Sequence, residues 1–99
     1  MMAANKDWPF FDAHNMAVFA SKKIVFEGEW IYFVTHDQED GAWQFHPYDG
    51  LTPEHEVAVV SLEEMVRLDE SLKMLSDLPC GWQAWRNSPN SLWERSPQG

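Results

Sequence analysis

Cys80 is the only thiol among the 99 residues, His occurs at positions 14, 36, 46 and 55, and Asp37, Glu39 and Asp40 crowd a single turn. Nucleophilic, metal-assisted and electrostatic chemistry are built from these residue types. A thiol acts as a nucleophile when a base sits beside it and a third group orients that base. Cys80 lies between Pro79 and Gly81 with no His or acid adjacent in sequence, so a packing role in a turn is expected and no catalytic residue is assigned. Asp77 is expected in the last helical turn or the loop after it. Imidazole and carboxylate together suit zinc and related ions. In a hairpin symmetric about Glu39, however, His46 lies beside Tyr32, about 13 Å along the strand from His36, which is too far for one ion. His55, with Glu54 and Glu56, belongs to a separate loop, and no metal or cofactor is expected. The five Gly, at 28, 41, 50, 81 and 99, are scattered and make no phosphate-cradling loop.

Charge narrows the partners. Seven Lys and Arg against sixteen Asp and Glu leave a net charge of −9, which repels nucleic acid and anionic membrane surfaces. A protein partner with a basic surface is the expectation. Asp37, Glu39 and Asp40 are then either a solvated turn or a docking surface for that partner, with Glu27 and Glu29 at the far end of the same strand and Asp49 and Glu54 adding to the steering. Six Trp exceed what so small a core needs. Trp43 and one of Trp82 or Trp85 are expected inside, whereas Trp8, Trp30 and Trp93 have weaker claims to burial. Trp30, Tyr32 and His46 form a candidate aromatic contact patch. That patch is lost if the helix, or the N-terminal Trp8, Phe10 and Phe11, covers it.

These residues need elements to hold them. Met16–Ser21 reads as a strand, and the apolar Ile24–Phe26 either continues it past a bulge or starts a second one before the turn at Glu27–Glu29. WIYFVTH, residues 30–36, and AWQFH, residues 42–46, make a hairpin around DQEDG. The symmetric register puts Phe33, Thr35, Trp43 and Phe45 on the core face and Trp30, Tyr32, Val34, His36, Gln44 and His46 on the other. Residues 56–60 are a further strand. Ser61 and Glu64 have capping-box spacing at the head of a helix with Leu62, Met65, Val66 and Leu68 inward. Asp69 caps a second piece in which Leu72, Leu75 and Met74 face the core, and GWQAWR, residues 81–86, is the last strand. The expected class is α+β, with an antiparallel sheet of about five strands packed against a short broken helix at residues 61–76. Residues 1–15 form an N-terminal arm, 16–86 the single domain and 87–99 a loose tail.

The segments DQEDGAWQF and VVSLEEMVRLDESLKMLSDLPCGWQAWR resemble a family of small bacterial immunity-protein-like domains associated with polymorphic toxin systems. The resemblance rests on Gly41, Trp43 and Phe45 after an acidic loop, on Asp69 and Leu72 in the helical region, and on Gly81, Trp85 and Arg86 at the close. Glu70 departs from it, standing where the family usually has Pro. The resemblance implies a single α+β domain that performs no reaction and neutralises a cognate toxin by binding it. A small-ligand-binding or regulatory domain is the alternative, and a small hydrolase using Cys80 comes third. The lone Cys, the absence of a basic-then-apolar leader and the lack of any apolar run near the roughly 20 residues of a membrane span point to the cytoplasm. Oligomeric state is left open.

Overall fold

Ser21 and Gly28 bracket a helix, although Ile24, Val25 and Phe26 suggest a strand. The Ser21 side chain accepts a hydrogen bond from the Lys23 N–H at 3.1 Å, and Gly28 closes the helix at φ 78°. The computed structural model describes residues 8–50 and 52–99. In it β1 (Ala17–Ser21) runs directly into α1 (Lys22–Glu27), so neither a second strand nor a bulge follows β1. A cap at each end outweighs the strand preference of three apolar residues, because capping satisfies orphan backbone groups while Ile24 is still buried.

The hairpin forms, but one residue away from the symmetric register. β2 (Phe33–His36) pairs with β3 (Trp43–His46) as Phe33 with His46, Val34 with Phe45, Thr35 with Gln44 and His36 with Trp43. The cause is the loop. The Gly41 N–H donates to the Asp37 carbonyl at 2.9 Å and the Asp37 N–H to the Ala42 carbonyl at 2.8 Å, with Gly41 in the left-handed region at φ 71°. Four residues, Gln38–Gly41, thus lie outside the closing pair. Because side chains alternate, the slip reverses the faces of β2. Val34 and His36 join Trp43 and Phe45 on the core face, and Phe33 and Thr35 turn outward with Gln44 and His46.

Among the described residues the sheet has six strands, where about five were expected, in the order β4-β1-β3-β2-β5-β6, completed by β4 (Val57–Ser61), β5 (Trp82–Trp85) and β6 (Glu94–Pro97). It is mixed, since β1 runs parallel to β3 while every other neighbour is antiparallel. The expected loose tail therefore supplies an edge strand, in which Glu94 pairs with Trp85 and Pro97 with Trp82.

Three helical pieces contribute to the core on one face of the sheet. Ser61 caps α2 (Leu62–Leu68) by accepting from the Glu64 N–H, and Asp69 caps a 3-10 segment (Glu70–Leu75) by accepting from the Ser71 N–H. From these elements Leu62, Met65, Val66, Leu72 and Leu75 join Ile24 of α1 and Val18, Ala20, Val34, Trp43, Phe45 and Ala84 of the sheet in one buried cluster. Met74, expected inward, is 63% exposed, because the 3-10 winding points it away from Leu72 and Leu75. The N-terminal arm is part of the core too. Phe10 meets Trp43 edge-on at 5.7 Å, and the Trp43 indole N–H donates to Asp12 at 2.9 Å. Residues 1–7 of the expected arm lie outside the described residues.

Candidate functional site

The other face of the sheet bears Phe19, Val59, Gln44, Thr35 and Gln83 in one row and His46, Phe33 and Trp85 in the next, as the pairing registers dictate. Among the described residues no helix or strand packs over it. Phe19 is 39% and Val59 62% exposed. At the centre, the Thr35 hydroxyl is buried without a hydrogen-bond partner. Its neighbours turn elsewhere, as the Gln44 amide donates to Asp37 at 2.6 Å and the Gln83 amide to Ser96 at 3.4 Å. A buried hydroxyl without a partner is costly and uncommon.

At one end of this open face lies a cleft of about 400 Å³, lined by Tyr32, Phe33, His46, Gln83 and Trp85 and closed by the loop from Pro47 to Gly50. Lys23 of α1 tethers that loop through Asp49, whose carboxylate holds the Lys23 amine above its ordinary range. Of the expected patch residues Tyr32 and His46 line the cleft, and Trp30 stands beside it, edge-on to Tyr32 at 5.9 Å. The Tyr32 N–H donates to the His46 carbonyl at 2.9 Å, although the residue across from His46 is Phe33 rather than Tyr32. Tyr48 completes the group, stacking on Trp30 at 5.7 Å and meeting Tyr32 edge-on at 5.0 Å. Its place in the loop after β3 hid it from any reading of the hairpin alone, and a Tyr at 63% exposure beside two aromatics is the signal.

Trp30 has a structural share as well. Its ring lies 5.8 Å from the guanidinium of Arg86, whose opposite neighbour is the Trp93 ring at 4.2 Å. Arg86 is 2% exposed and fully engaged. It donates to the Ile31 carbonyl at 2.9 Å, to Ser71 at 3.0 Å and to Asp69 at 2.6 Å.

The acidic residues do not join the aromatic ones. Asp37, Glu39 and Asp40 sit at the hairpin tip, the far end of β2 and β3 from Tyr32 and His46. Two of them also build the tip, since Asp37 accepts from Gln44 and Asp40 from the Ala42 N–H at 3.0 Å. The expected site is thus two sites at opposite ends of one hairpin. His36 and His46 end on opposite faces as well, and among the described residues no three His, Cys, Asp or Glu side chains gather as a metal-ligand set.

His46 is 7% exposed, and burial pushes its imidazole below the usual value of 6.5, with Asp37 opposing weakly. The fold therefore favours neutral His46. Above pH 6.5 the ring is neutral folded or unfolded; as pH falls below that value the unfolded chain takes the proton first, and stability declines until the folded ring also titrates. Urea midpoints measured from pH 8 down to 5 should fall more steeply for the wild type than for His46→Gln. Equal slopes would remove His46 as the cause.

A mixed sheet with an aromatic cleft at one end and an acidic turn at the other defines an α+β domain. The chain matches no family model, no curated protein and no solved structure. No helix among the described residues is long and apolar enough to cross a membrane.

Proposed function

We propose that this chain is a protein-binding domain of the immunity type, which neutralises a basic toxin by covering it and without catalysis. The observation that supports this reading is the open sheet face, where apolar Phe19 and Val59 stay exposed on neighbouring strands. A docked protein surface removes that apolar area from water. Charge selects the partner. With −9 over 99 residues and Asp37, Glu39 and Asp40 beside this face, a basic protein is attracted and an acidic one repelled.

Co-expression with a neighbouring gene that encodes a basic toxin tests the proposal. Growth should be restored by the wild type and not by Val59→Glu, which places a charge on the contact face at an exposed position. Replacing Asp37, Glu39 and Asp40 together by Ala should slow association with the purified toxin about tenfold at low salt and much less at high salt. A toxin that kills whether or not this chain is present overturns the reading.

The cleft favours a second reading, a small-ligand or regulatory domain, because about 400 Å³ walled by Phe33 and Trp85 falls in the size range of small-molecule sites. A ligand-induced rise in melting temperature that Trp85→Ala abolishes, with no toxin rescue, supports that alternative.

A further inference from the structure

Cys80, without a base beside it in sequence, has one in space. Its sulfur lies 3.6 Å from Nε2 of His36, a residue 44 positions earlier in the chain. The other ring nitrogen is committed, because His36 Nδ1 lies 2.8 Å from the Leu78 carbonyl oxygen. A carbonyl only accepts, so Nδ1 carries the proton and Nε2 presents its lone pair to the thiol. The ring is held flat by stacking on buried Trp43, at 3.9 Å between centroids and 13° between planes. Two separate pieces of chain converge here: β2 brings His36, and the turn between the 3-10 segment and β5 brings both Leu78 and Cys80.

The turn is fixed from both sides. The Gly81 N–H donates to the His36 carbonyl at 2.7 Å. Gly81 itself has φ +88°, and a Cβ there would come within 2.8 Å of Gln38 Oε1, so the turn is pressed against the hairpin tip. Cys80 nevertheless stays exposed. An accessible nucleophile, a base within hydrogen-bond reach and a third group that sets the tautomer of the base are together the arrangement that activates a thiol.

We propose that Cys80 and His36 form a reactive thiol–imidazole pair that takes up a small cationic disulfide by thiol–disulfide exchange. His36 Nε2 accepts the Cys80 proton as the sulfur attacks one sulfur of the disulfide. The new S–S bond forms, the old one breaks, and the departing thiolate takes the proton back from the imidazolium. The products are a mixed disulfide on Cys80 and one free small thiol, so the incoming disulfide supplies the only oxidising equivalent. The cationic class follows from the net charge of −9, which attracts a cation to this exposed thiol and repels an anion. This site stands apart from the open face, and its test is independent of any toxin.

The experiment follows uptake of cystamine at pH 7 by intact mass, with Cys80→Ser as the blank. The folded protein should react at least about tenfold faster than the same chain unfolded in urea, because only the fold supplies the base. His36→Gln, checked for folding by near-ultraviolet circular dichroism, should fall to the unfolded rate. Dithiodiglycolic acid, an anionic disulfide of similar size, should react more slowly than cystamine at low salt, and the gap should narrow as salt is added. If the folded wild type reacts no faster than the unfolded chain, or a folded His36→Gln keeps the wild-type rate, the pair is not reactive. That first comparison decides the matter even if His36→Gln does not fold. Equal low-salt rates for the two disulfides overturn the assigned ligand class.

Discussion

Arg86→Ala will lower the unfolding free energy by about 3–5 kcal/mol, the usual result of removing one partner of a buried ion pair. The substitution leaves Asp69, whose side chain is only 22% exposed, without the guanidinium that sits 2.6 Å away. It also strips the Ile31 carbonyl of its donor and opens the space between Trp30 and Trp93. A domain of this size is stable by roughly 5–15 kcal/mol, so the loss is a large share of the whole. Arg86→Lys should cost less, about 2 kcal/mol, since an ammonium keeps the charge but cannot reach Ile31, Ser71 and Asp69 from one planar fork. Urea unfolding monitored by far-ultraviolet circular dichroism distinguishes the two. An Arg86→Ala loss below about 1 kcal/mol, the size expected of a surface pair, would show that the network carries little.

Trp43→Ala should be as severe, at about 3–5 kcal/mol, because an indole 1% exposed leaves a large void when cut to a methyl. Four contacts go with it: the Asp12 hydrogen bond, the edge of Phe10, the parallel face of Phe45 at 6.4 Å and the stack under His36. Trp43→Phe keeps most of the apolar volume but leaves the Asp12 carboxylate without its indole donor, and about 1–3 kcal/mol is expected. Circular dichroism again serves as the probe, since the substitution removes a fluorophore. Losing the stack also frees the His36 ring, so Trp43→Phe should slow cystamine uptake while the protein remains folded.

The sequence carried the elements better than their phase. The capping residues Ser61 and Asp69, the turn at Gly41 and the burial of Trp43, Phe45, Leu72 and Leu75 all follow from local signals. The register of β2 did not, because WIYFVTH has apolar or aromatic residues on both faces and so offers no alternation to set it. Only the loop could decide, and it holds four residues instead of a symmetric count. β6 was hidden for a different reason. ERSP has no strand character of its own and is extended because β5 offers an open edge.

The site was legible only in part, for related reasons. Trp30, Tyr32 and His46 were grouped because one hairpin carries all three, whereas Tyr48 and Trp85 reach the same region from the loop after it and from β5. Cys80 and His36 meet only because β2 and β5 are neighbours, a fact that no spacing rule contains. The residues that carried the immunity resemblance are mostly builders of the fold. Gly41 and Gly81 hold left-handed turns, Trp43, Phe45 and Leu72 fill the core, and Asp69 with Arg86 ties the helical segment to the sheet. Trp85 alone among them faces the cleft.

The parallel pairing of β1 with β3 bears on how this chain reaches its native state. β1 comes first of the six strands yet lies inside the sheet, between β3 and β4, each of which arrives much later in the chain. The β2–β3 hairpin can close early on local contacts, and β5 can then add to its free side. β1 has no neighbour in sequence with which to pair, so each of its sides waits on a long loop closure, one to β3 and one to β4. No fragment ending before Val57 holds both partners of β1. During synthesis on the ribosome the antiparallel side of β1 therefore stays open until β4 has emerged.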